Sequence, residues 1–299
     1  MVTVHGVRSV MTVGSVLALL ALTSCYPTGY SITVDGTQRT YQLYLPPPDS
    51  SKPIPLVVAL HPLLLTGWQM RQLTGFDEIA EQEGFAVAYP DGIGRRWDVT
   101  SGSGRDVRFI AALIDELVRE RNIDPARVYA AGASNGAMLC HQLACRIPER
   151  LAGIAAVIGT PSRRVFDECQ CAKPMPVMII HGTADPIVPY EGEPGQFSLA
   201  SVAATAEFWA VRNGCDGKPS VTPMPDTDPN DGTTVDTVQY ACANTAPVIL
   251  YRVNGGGHAW PGSPANFPEW VVGRISFEIN AGALIWEFFE TKTATAKAE

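Results

Sequence analysis

A serine flanked by glycines at positions 132–136 (Gly-Ala-Ser-Asn-Gly) gives the first chemical signal in this 299-residue sequence. An apolar, β-prone run precedes the motif and an amphipathic helical pattern follows it, which predicts a strand that turns sharply into a helix at Ser134. Such a corner exposes the serine hydroxyl as a nucleophile, and the glycines let neighbouring backbone pass close by. The backbone amide of Asn135 would then lie at a helix N-terminus, where it can stabilise an oxyanion.

A serine hydroxyl needs a base to take its proton, and that base is most often an imidazole oriented by a carboxylate. Asp185 and His258 follow Ser134 in the chain order Ser, Asp, His that α/β-hydrolases use. His258 comes directly after three glycines, which suit a loop that must curl over the nucleophile. The sequence therefore predicts Ser134 as nucleophile, Asp185 as acid and His258 as base. Two alternatives stay open: a surface-loop histidine at 258 and a helix-capping or turn aspartate at 185.

The other four histidines are weaker candidates for the base. His5 falls in an N-terminal segment expected to be removed, and His141 lies two turns beyond Ser134, where packing is expected. His181 ends its predicted strand on the loop that already supplies the acid. His61 follows another predicted strand and is expected to shape the oxyanion loop.

Three tryptophans lie on or near the loops that carry these residues. Trp260, two residues after His258, is expected to contact substrate. For Trp68 and Trp97, packing in the core is at least as good an interpretation as lining a pocket.

The elements that must position these side chains alternate along the chain. Strands are predicted at 56–60, 85–89, 127–133, 154–158, 177–180 and 248–253, and helices at 66–83, 106–122, 202–212, 275–289 and directly after Ser134. Uninterrupted apolar strands alternating with helices predict an α/β fold with a mostly parallel, doubly wound sheet. Residues 31–34 and 39–45 alternate apolar and polar side chains, which predicts an antiparallel hairpin at the N-terminal edge. In such sheets the working residues lie on loops at the carboxyl ends of strands.

Composition limits the classes of function. With 46% hydrophobic residues in 299, the chain can bury one large core. The net charge is −8 and there is no Lys/Arg run, so a nucleic-acid partner is not expected. No Ser/Gly-rich linker or internal repeat divides the sequence, and we expect residues 25–299 to form a single catalytic domain.

The first 24 residues have the character of a signal peptide. Arg8 provides a positive charge and residues 10–22 form an apolar stretch too short to span a bilayer comfortably. The Leu-Thr-Ser-Cys sequence at 22–25 resembles a bacterial lipobox, which implies lipidation at Cys25 and a membrane anchor. The alternative is an ordinary signal peptide cut nearby. Either way, an exported, extracytoplasmic protein is expected.

Six of the seven cysteines remain when Cys25 is set aside, and an even set in an exported chain suggests disulfides. Cys215 and Cys242 bracket a polar, Pro/Asp-rich excursion and are expected to pair. Cys140 and Cys145 are five apart on one predicted helix and face different directions, so their expected partners are the remaining pair, in either order: Cys169 and Cys171. Paired C-x-x-C spacing typical of a thiolate metal site is absent.

Four motifs together resemble a known family. His61, residues 132–136, residues 181–190 (His-Gly-Thr-Ala-Asp-Pro-Ile-Val-Pro-Tyr) and residues 255–262 (Gly-Gly-Gly-His-Ala-Trp-Pro-Gly) are similar to secreted α/β-hydrolase esterases of the polyhydroxybutyrate depolymerase type. That group also includes feruloyl and acetylxylan esterases of carbohydrate esterase family 1. The resemblance covers nearly all of the mature chain. It implies the α/β-hydrolase fold, the triad already named, no cofactor or metal, and hydrolysis of carboxylic esters through an acyl-enzyme.

The chain departs from this family in two respects. The family usually has His-Gly where this chain has His61-Pro62, and proline has no N–H to donate. The second oxyanion donor is therefore expected to be the neighbouring Leu63. Polymer depolymerases of this type often carry an added substrate-binding domain, and no such domain is expected in this sequence. Small or oligomeric esters with short acyl, hydroxyalkanoate, feruloyl or acetyl groups are therefore expected as substrates in place of a crystalline polyester.

Other interpretations remain for part of the sequence. Pro62 alone favours an inactive surface lipoprotein of the same fold that serves as a binding module, and a peptidase is a third option. Residues 226–232 resemble a calcium loop, but Gly232 is in the seventh position and Thr237 stands where Glu belongs. A solvated turn is the expected structure there.

Overall fold

Strands and helices alternate along most of the computed structural model, which describes residues 29–47, 52–169, 173–193, 198–242 and 246–294. The strands are β1 (Tyr30–Val34), β2 (Thr37–Tyr44), β3 (Ile54–Leu60), β4 (Ala86–Pro90), β5 (Ile123–Ala133), β6 (Gly153–Val157), β7 (Val177–Gly182), β8 (Cys215–Pro223), β9 (Thr234–Cys242) and β10 (Val248–Asn254). The helices are α1 (Gly67–Thr74), α2 (Phe76–Glu83), α3 (Arg105–Glu120), α4 (Asn135–Arg146), α5 (Arg163–Glu168), α6 (Val202–Arg212), α7 (Glu269–Val272) and α8 (Ala281–Glu290).

These strands pair into one sheet in the order β1-β2-β4-β3-β5-β6-β7-β10-β9-β8. From β4 to β10 every neighbouring pair is parallel. The β1–β2 hairpin joins β4 antiparallel at one edge, and β9 and β8 continue antiparallel from β10 at the other. The predicted α/β architecture, a mostly parallel sheet with an antiparallel N-terminal hairpin, is confirmed.

Burial on both faces explains why the central strands read as uninterrupted apolar runs. In β3, Leu56, Val58 and Leu60 point into one apolar layer, whereas Val57 and Ala59 point into the other. Helices α3, α4 and α6 cover the first layer, and α1, α2 and α8 cover the second. The sheet is therefore held rigidly from both sides, which fixes the positions of the strand ends.

The predicted secondary structure differs from the observed one in three places. The helix predicted over 66–83 is two helices, because Gly75 adopts a left-handed φ of 61° and ends the first. The last helix, predicted to begin at residue 275, begins at Ala281. The loop before it contains only the four-residue helix α7. The excursion between Cys215 and Cys242 contains β8, whose side chains are largely exposed, and β9, whose side chains are mostly buried or half-buried, and neither strand shows a strong hydrophobic alternation.

Two disulfides are present, Cys145–Cys169 and Cys215–Cys242. The second is the pairing favoured by the sequence, and the first is one of the two allowed arrangements. The expectation of a bonded partner for Cys140 is wrong: this residue of α4 is a fully buried free thiol that faces the first apolar layer. Cys171 lies outside the described residues.

None of the described helices is both long and apolar enough to cross a membrane. The predicted signal peptide at 1–24, the lipidation site Cys25 and His5 lie outside the residues that the structure describes.

Candidate active site

The corner at Ser134 is a strained backbone position. Strand β5 ends at Ala133 and helix α4 begins at Asn135, which leaves Ser134 at φ 53° and ψ −117°. A positive φ is uncommon for a residue with a side chain and persists only where the surroundings impose it. The Ser134 amide donates to the Val157 carbonyl on β6 at 2.9 Å, and its carbonyl accepts from the Met138 amide at 3.0 Å. The serine is thereby fixed at the carboxyl edge of the sheet.

Close backbone contacts at this corner explain the two glycines. A Cβ on Gly136 would lie 2.1 Å from the Leu60 carbonyl oxygen, and one on Gly132 would lie 2.5 Å from the Gly136 backbone. The N-terminus of α4 therefore packs directly on the end of β3. This contact brings the Asn135 amide next to the loop that begins at His61.

The acid and the base predicted from the sequence are in direct contact. His258 Nδ1 lies 2.7 Å from Asp185 Oδ2, and the other carboxylate oxygen accepts from the amides of Ile187 and Val188, each at 2.8 Å. Burial by itself raises the pKa of Asp185, but hydrogen bonds from His181 and His258 outweigh it and hold that pKa below its usual range. Asp185 is thus an ionised carboxylate that orients the His258 ring.

The loop carrying His258 is held by backbone contacts. A Cβ on Gly257 would lie 2.1 Å from the Val272 carbonyl oxygen, and one on Gly182 would lie 2.2 Å from that of Gly256. The His258 amide donates to the Val272 carbonyl at 2.5 Å. Only glycine fits where the chain folds back onto the end of β7, which accounts for the glycines before the histidine.

Ser134 and His258 are brought to the same edge of the sheet without a direct hydrogen bond. Strands β5, β6, β7 and β10 are consecutive neighbours, so β10 lies roughly 14 Å from β5 at about 4.8 Å per strand. The four residues from the end of β10 to His258 can extend about 13 Å. The Ser134 hydroxyl makes no hydrogen bond to any described residue. In resting enzymes such contacts are often long and tighten in the complex with substrate.

Two backbone amides at this corner, both predicted as oxyanion donors, make no hydrogen bond to the described residues. The amide of Asn135, in the first turn of α4, donates to no described acceptor. In the loop after β3, the Leu64 amide donates to the Arg95 carbonyl at 2.8 Å and the Leu65 amide to the Pro62 carbonyl at 3.2 Å. The Leu63 amide donates to none of the described groups. The geometry thus leaves an amide available beside Pro62.

His61 and Trp97 link this loop to the Ser134 corner. His61 Nε2 accepts from the Gly92 amide at 2.9 Å, so Nδ1 carries the proton and donates to the Pro62 carbonyl at 2.7 Å. Trp97 Nε1 donates to the His61 carbonyl at 2.9 Å, and the Trp97 backbone exchanges two hydrogen bonds with the Asn135 side chain. Burial lowers the pKa of His61. His61 therefore shapes the loop, as expected.

A buried ion pair supports the segment that contains Trp97. Arg39 Nη2 lies 2.9 Å from Asp106 Oδ1, with both side chains almost fully buried. Arg39 also donates to the Asp91 carbonyl at 3.0 Å, and Asp106 Oδ2 accepts from the Asp98 amide at 2.7 Å. This network was missed from the sequence, since neither charge lies near a recognisable motif.

Trp260 does not lie where the sequence suggested. Its ring is only 1% exposed and packs edge-on against Phe76, with ring centroids 6.0 Å apart. The expectation that Trp260 contacts substrate is corrected: the residue belongs to the core beneath the His258 loop. His141 is fully buried as well, and its Nδ1 accepts from Trp209 Nε1 at 3.0 Å.

The described residues contain no group of three His, Cys, Asp or Glu side chains arranged to hold a metal ion. Within 226–232, Asp231 accepts from the amides of Thr233 and Phe277. Glu278, which lies outside this segment, accepts from the amides of Thr227 and Asp228. These two carboxylates thus brace the turn through hydrogen bonds from backbone amides.

Comparison with known proteins gives a consistent picture. The model of the family described as Esterase PHB depolymerase matches residues 39–194. The protein NocK of Nocardia uniformis subsp. tsuyamanensis, described as an esterase, is 31% identical over 87% of this chain and 82% of its own length. Feruloyl esterase B of Piromyces equi is 29% identical over 70% of this chain, which spans only 40% of that protein.

One solved structure has the same fold over most of its length. The acetyl xylan esterase from Aspergillus awamori superposes with a TM-score of 0.65 at 19% sequence identity, covering 88% of this chain and 99% of that one.

Proposed function

The chain belongs to the Esterase PHB depolymerase family and is a carboxylic ester hydrolase, and we propose that it acts through an acyl-enzyme formed on Ser134. The observation that carries this proposal is the hydrogen bond of His258 Nδ1 to Asp185 Oδ2, at the carboxyl edge of the sheet where Ser134 also lies. Ser134 is the nucleophile, His258 the base and Asp185 the acid that orients it.

The reaction proceeds in two halves. In the first, His258 Nε2 takes the Ser134 proton as the hydroxyl oxygen attacks the ester carbonyl, and the amides of Asn135 and Leu63 stabilise the oxyanion. The tetrahedral intermediate collapses, the C–O bond to the alcohol breaks, and His258 gives its proton to the departing alcohol oxygen. In the second half, His258 activates water, which attacks the acyl-enzyme, releases the carboxylic acid and restores Ser134.

We propose esters with short acyl, hydroxyalkanoate, feruloyl or acetyl groups as substrates. Large apolar side chains are exposed around the proposed site, and this supports a preference for apolar acyl groups. Leu63 is 50% exposed on the oxyanion side, and Ile187 is 49% exposed directly beyond the turn of Asp185. Trp270 is 75% exposed on α7, the short helix whose Val272 carbonyl accepts the His258 amide. Trp270→Ala should raise KM more for hexanoate than for acetate esters.

Covalent labelling with a fluorophosphonate tests the mechanism. Wild-type protein should be labelled at Ser134, and Ser134→Ala should lose both the label and p-nitrophenyl acetate hydrolysis while keeping its circular dichroism spectrum and melting temperature. Ser220→Ala on the exposed strand β8 is the matched control and should retain full activity. Hydrolysis by folded Ser134→Ala at the wild-type rate would refute the proposed nucleophile.

A panel of ester substrates separates the esterase from an inactive binding module. A panel of acetate, butyrate, hydroxybutyrate and ferulate esters, none of them hydrolysed by folded wild-type protein, would favour the module. The Leu63 amide, which donates to none of the described groups, supports activity despite Pro62.

We also propose that residues 1–24 form a signal peptide, that Cys25 carries a lipid anchor and that residues 25–299 form one catalytic domain of an exported protein. The support is the Leu-Thr-Ser-Cys sequence at 22–25. In a bacterial host that processes lipoproteins, wild-type protein should partition into the detergent phase of Triton X-114 and Cys25→Ala into the aqueous phase. An aqueous wild-type protein would contradict the anchor.

A further inference from the structure

A second histidine contacts the carboxylate that the base uses. His181, at the end of β7, has its Nε2 3.4 Å from Asp185 Oδ2 and 2.9 Å from the Val188 carbonyl oxygen. The same Oδ2 atom lies 2.7 Å from His258 Nδ1. Both side chains of the His181–Asp185 pair are completely shielded from solvent. Asp185 therefore lies between two imidazoles.

The hydrogen-bond partners fix which nitrogen of His181 is protonated. Val188 O and Asp185 Oδ2 are both acceptors, so Nε2 must be the donor. The buried Nδ1 atom has no partner among the described residues, and a proton there would be an unsatisfied buried donor. Since His181 presents only a donor to the site, it cannot accept the Ser134 proton and is no alternative to His258.

His181 also closes the turn that holds the acid. The Val188 amide donates to Asp185 Oδ1 at 2.8 Å, while the Val188 carbonyl accepts from His181 at 2.9 Å. The Tyr190 ring packs edge-on against the imidazole, with centroids 6.0 Å apart. One side chain therefore restrains both the carboxylate and the backbone segment that supplies two of its donors.

We propose that His181 is a positioning residue of the esterase reaction: it holds Asp185 Oδ2 in line with His258 Nδ1 by donating from Nε2 to that oxygen and to the Val188 carbonyl. This inference rests on the proposed triad. His181 touches neither the serine nor the ester, so its contribution is made entirely through Asp185 and should disappear when that carboxylate is removed.

Substitutions at 181 separate positioning from simple packing. His181→Leu should lower kcat roughly ten- to one-hundred-fold, the range typical when a residue that orients a metal-binding side chain is removed from an enzyme. KM should change less than about twofold. His181→Gln, whose amide nitrogen can occupy the place of Nε2, should recover most of kcat. His141→Leu, which alters another fully buried histidine away from the triad, is the matched control and should retain wild-type kcat.

A double-mutant cycle tests the route of the effect. In an Asp185→Asn background, His181→Leu should cause no further loss of kcat, since residues that act as one unit are not additive. A loss of the same factor in both backgrounds would overturn the proposal, and so would His181→Gln being as slow as His181→Leu. A His181→Leu protein with reduced melting temperature and unchanged kcat would also overturn it.

Proton NMR provides a readout that does not depend on turnover. The His258 Nδ1 proton in its 2.7 Å hydrogen bond should give a far-downfield resonance in wild-type protein, identified by its loss in His258→Ala. His181→Leu should shift or broaden this resonance, and His181→Gln should leave it near the wild-type position. If the wild-type protein hydrolysed no ester, this measurement would still decide whether His181 positions Asp185, and an unmoved resonance in His181→Leu would refute it.

Discussion

The side chain of Asn135 exchanges two hydrogen bonds with the backbone of Trp97: its oxygen accepts from the Trp97 amide at 2.7 Å, and its nitrogen donates to the Trp97 carbonyl at 3.2 Å. The indole of Trp97 in turn donates to the His61 carbonyl. Asn135 contributes one of the two proposed oxyanion amides, and its side chain also holds the segment that contains Trp97. That segment supports the loop that carries Leu63, whose amide is the other proposed donor. The spacing of the two donors depends on this clamp.

Asn135→Ala should reduce both stability and catalysis. The backbone amide remains, but two buried groups of Trp97 lose their partners, each at about 1–3 kcal/mol. We expect the free energy of unfolding to fall by about 2–4 kcal/mol and kcat to fall by about tenfold at unchanged KM, measured by urea unfolding and steady-state kinetics. Gln142→Ala, which removes one hydrogen bond from α4 to Val99, is the control and should retain kcat. A wild-type kcat in Asn135→Ala would show that the clamp serves only the fold.

Gly136→Ala should disrupt the contact between α4 and β3. The new Cβ would lie 2.1 Å from the Leu60 carbonyl oxygen, so helix and strand must separate. We expect a loss of about 2–3 kcal/mol in the free energy of unfolding, with kcat reduced because the Asn135 amide moves away from the Leu63 loop. Gly153→Ala, on β6, is the comparison: its Cβ would meet nothing closer than 3.4 Å. Equal stability of the two variants would contradict the close-contact argument.

Much of this site follows from the sequence because its parts lie where strands end. The apolar runs before Ser134 and Asp185 are buried on both faces of the sheet, which is the condition under which a strand has no polar alternation, and the run before His258 is partly buried. Parallel strands bring their carboxyl ends to one edge, so the sequence predicts that the triad candidates lie at the same edge of the sheet.

The contacts that pack the site could not be predicted in this way. Trp97 lies 38 residues from Asn135, and no local pattern reports their hydrogen bonds. Trp260 is two residues from His258, but sequence distance does not say which way a side chain points, and its ring turned into the core. Cys140 packs as a small apolar residue. Strand β8 was missed because most of its side chains are exposed and it contains polar residues throughout.

Removal of the Cys215–Cys242 disulfide should lower stability and spare activity. The bridge closes a loop with a sequence separation of 27 residues, which corresponds to about 3–4 kcal/mol on the chain-entropy model. The bridge joins the first residue of β8 to the last residue of β9. It therefore lies at the end of the sheet where β10 begins, whereas His258 follows the other end of β10. We expect the Cys215→Ala/Cys242→Ala variant to melt at lower temperature with wild-type kcat at 25 °C. A reduced kcat in a folded variant would show coupling between this edge and the site.

Acid should destabilise the protein through His141. Complete burial lowers the pKa of this imidazole to about 3 from an ordinary value of 6.5. Between these values the unfolded chain binds a proton that the folded chain does not, so stability is fully present above pH 6.5 and is lost as the pH falls through that value. The expected loss from this one group is about 1.4 kcal/mol per pH unit, or about 2 kcal/mol between pH 7.5 and 5.

Urea unfolding of wild-type protein and His141→Gln at those two pH values isolates this contribution. Glutamine does not titrate and its side-chain oxygen can accept from Trp209 Nε1, so the variant should lose about 2 kcal/mol less than wild-type protein over the interval. His61, whose pKa burial also lowers, acts with the same sign in both proteins and cancels in the comparison. An identical pH dependence in the two proteins would mean that His141 takes up its proton at the same pH whether the chain is folded or unfolded.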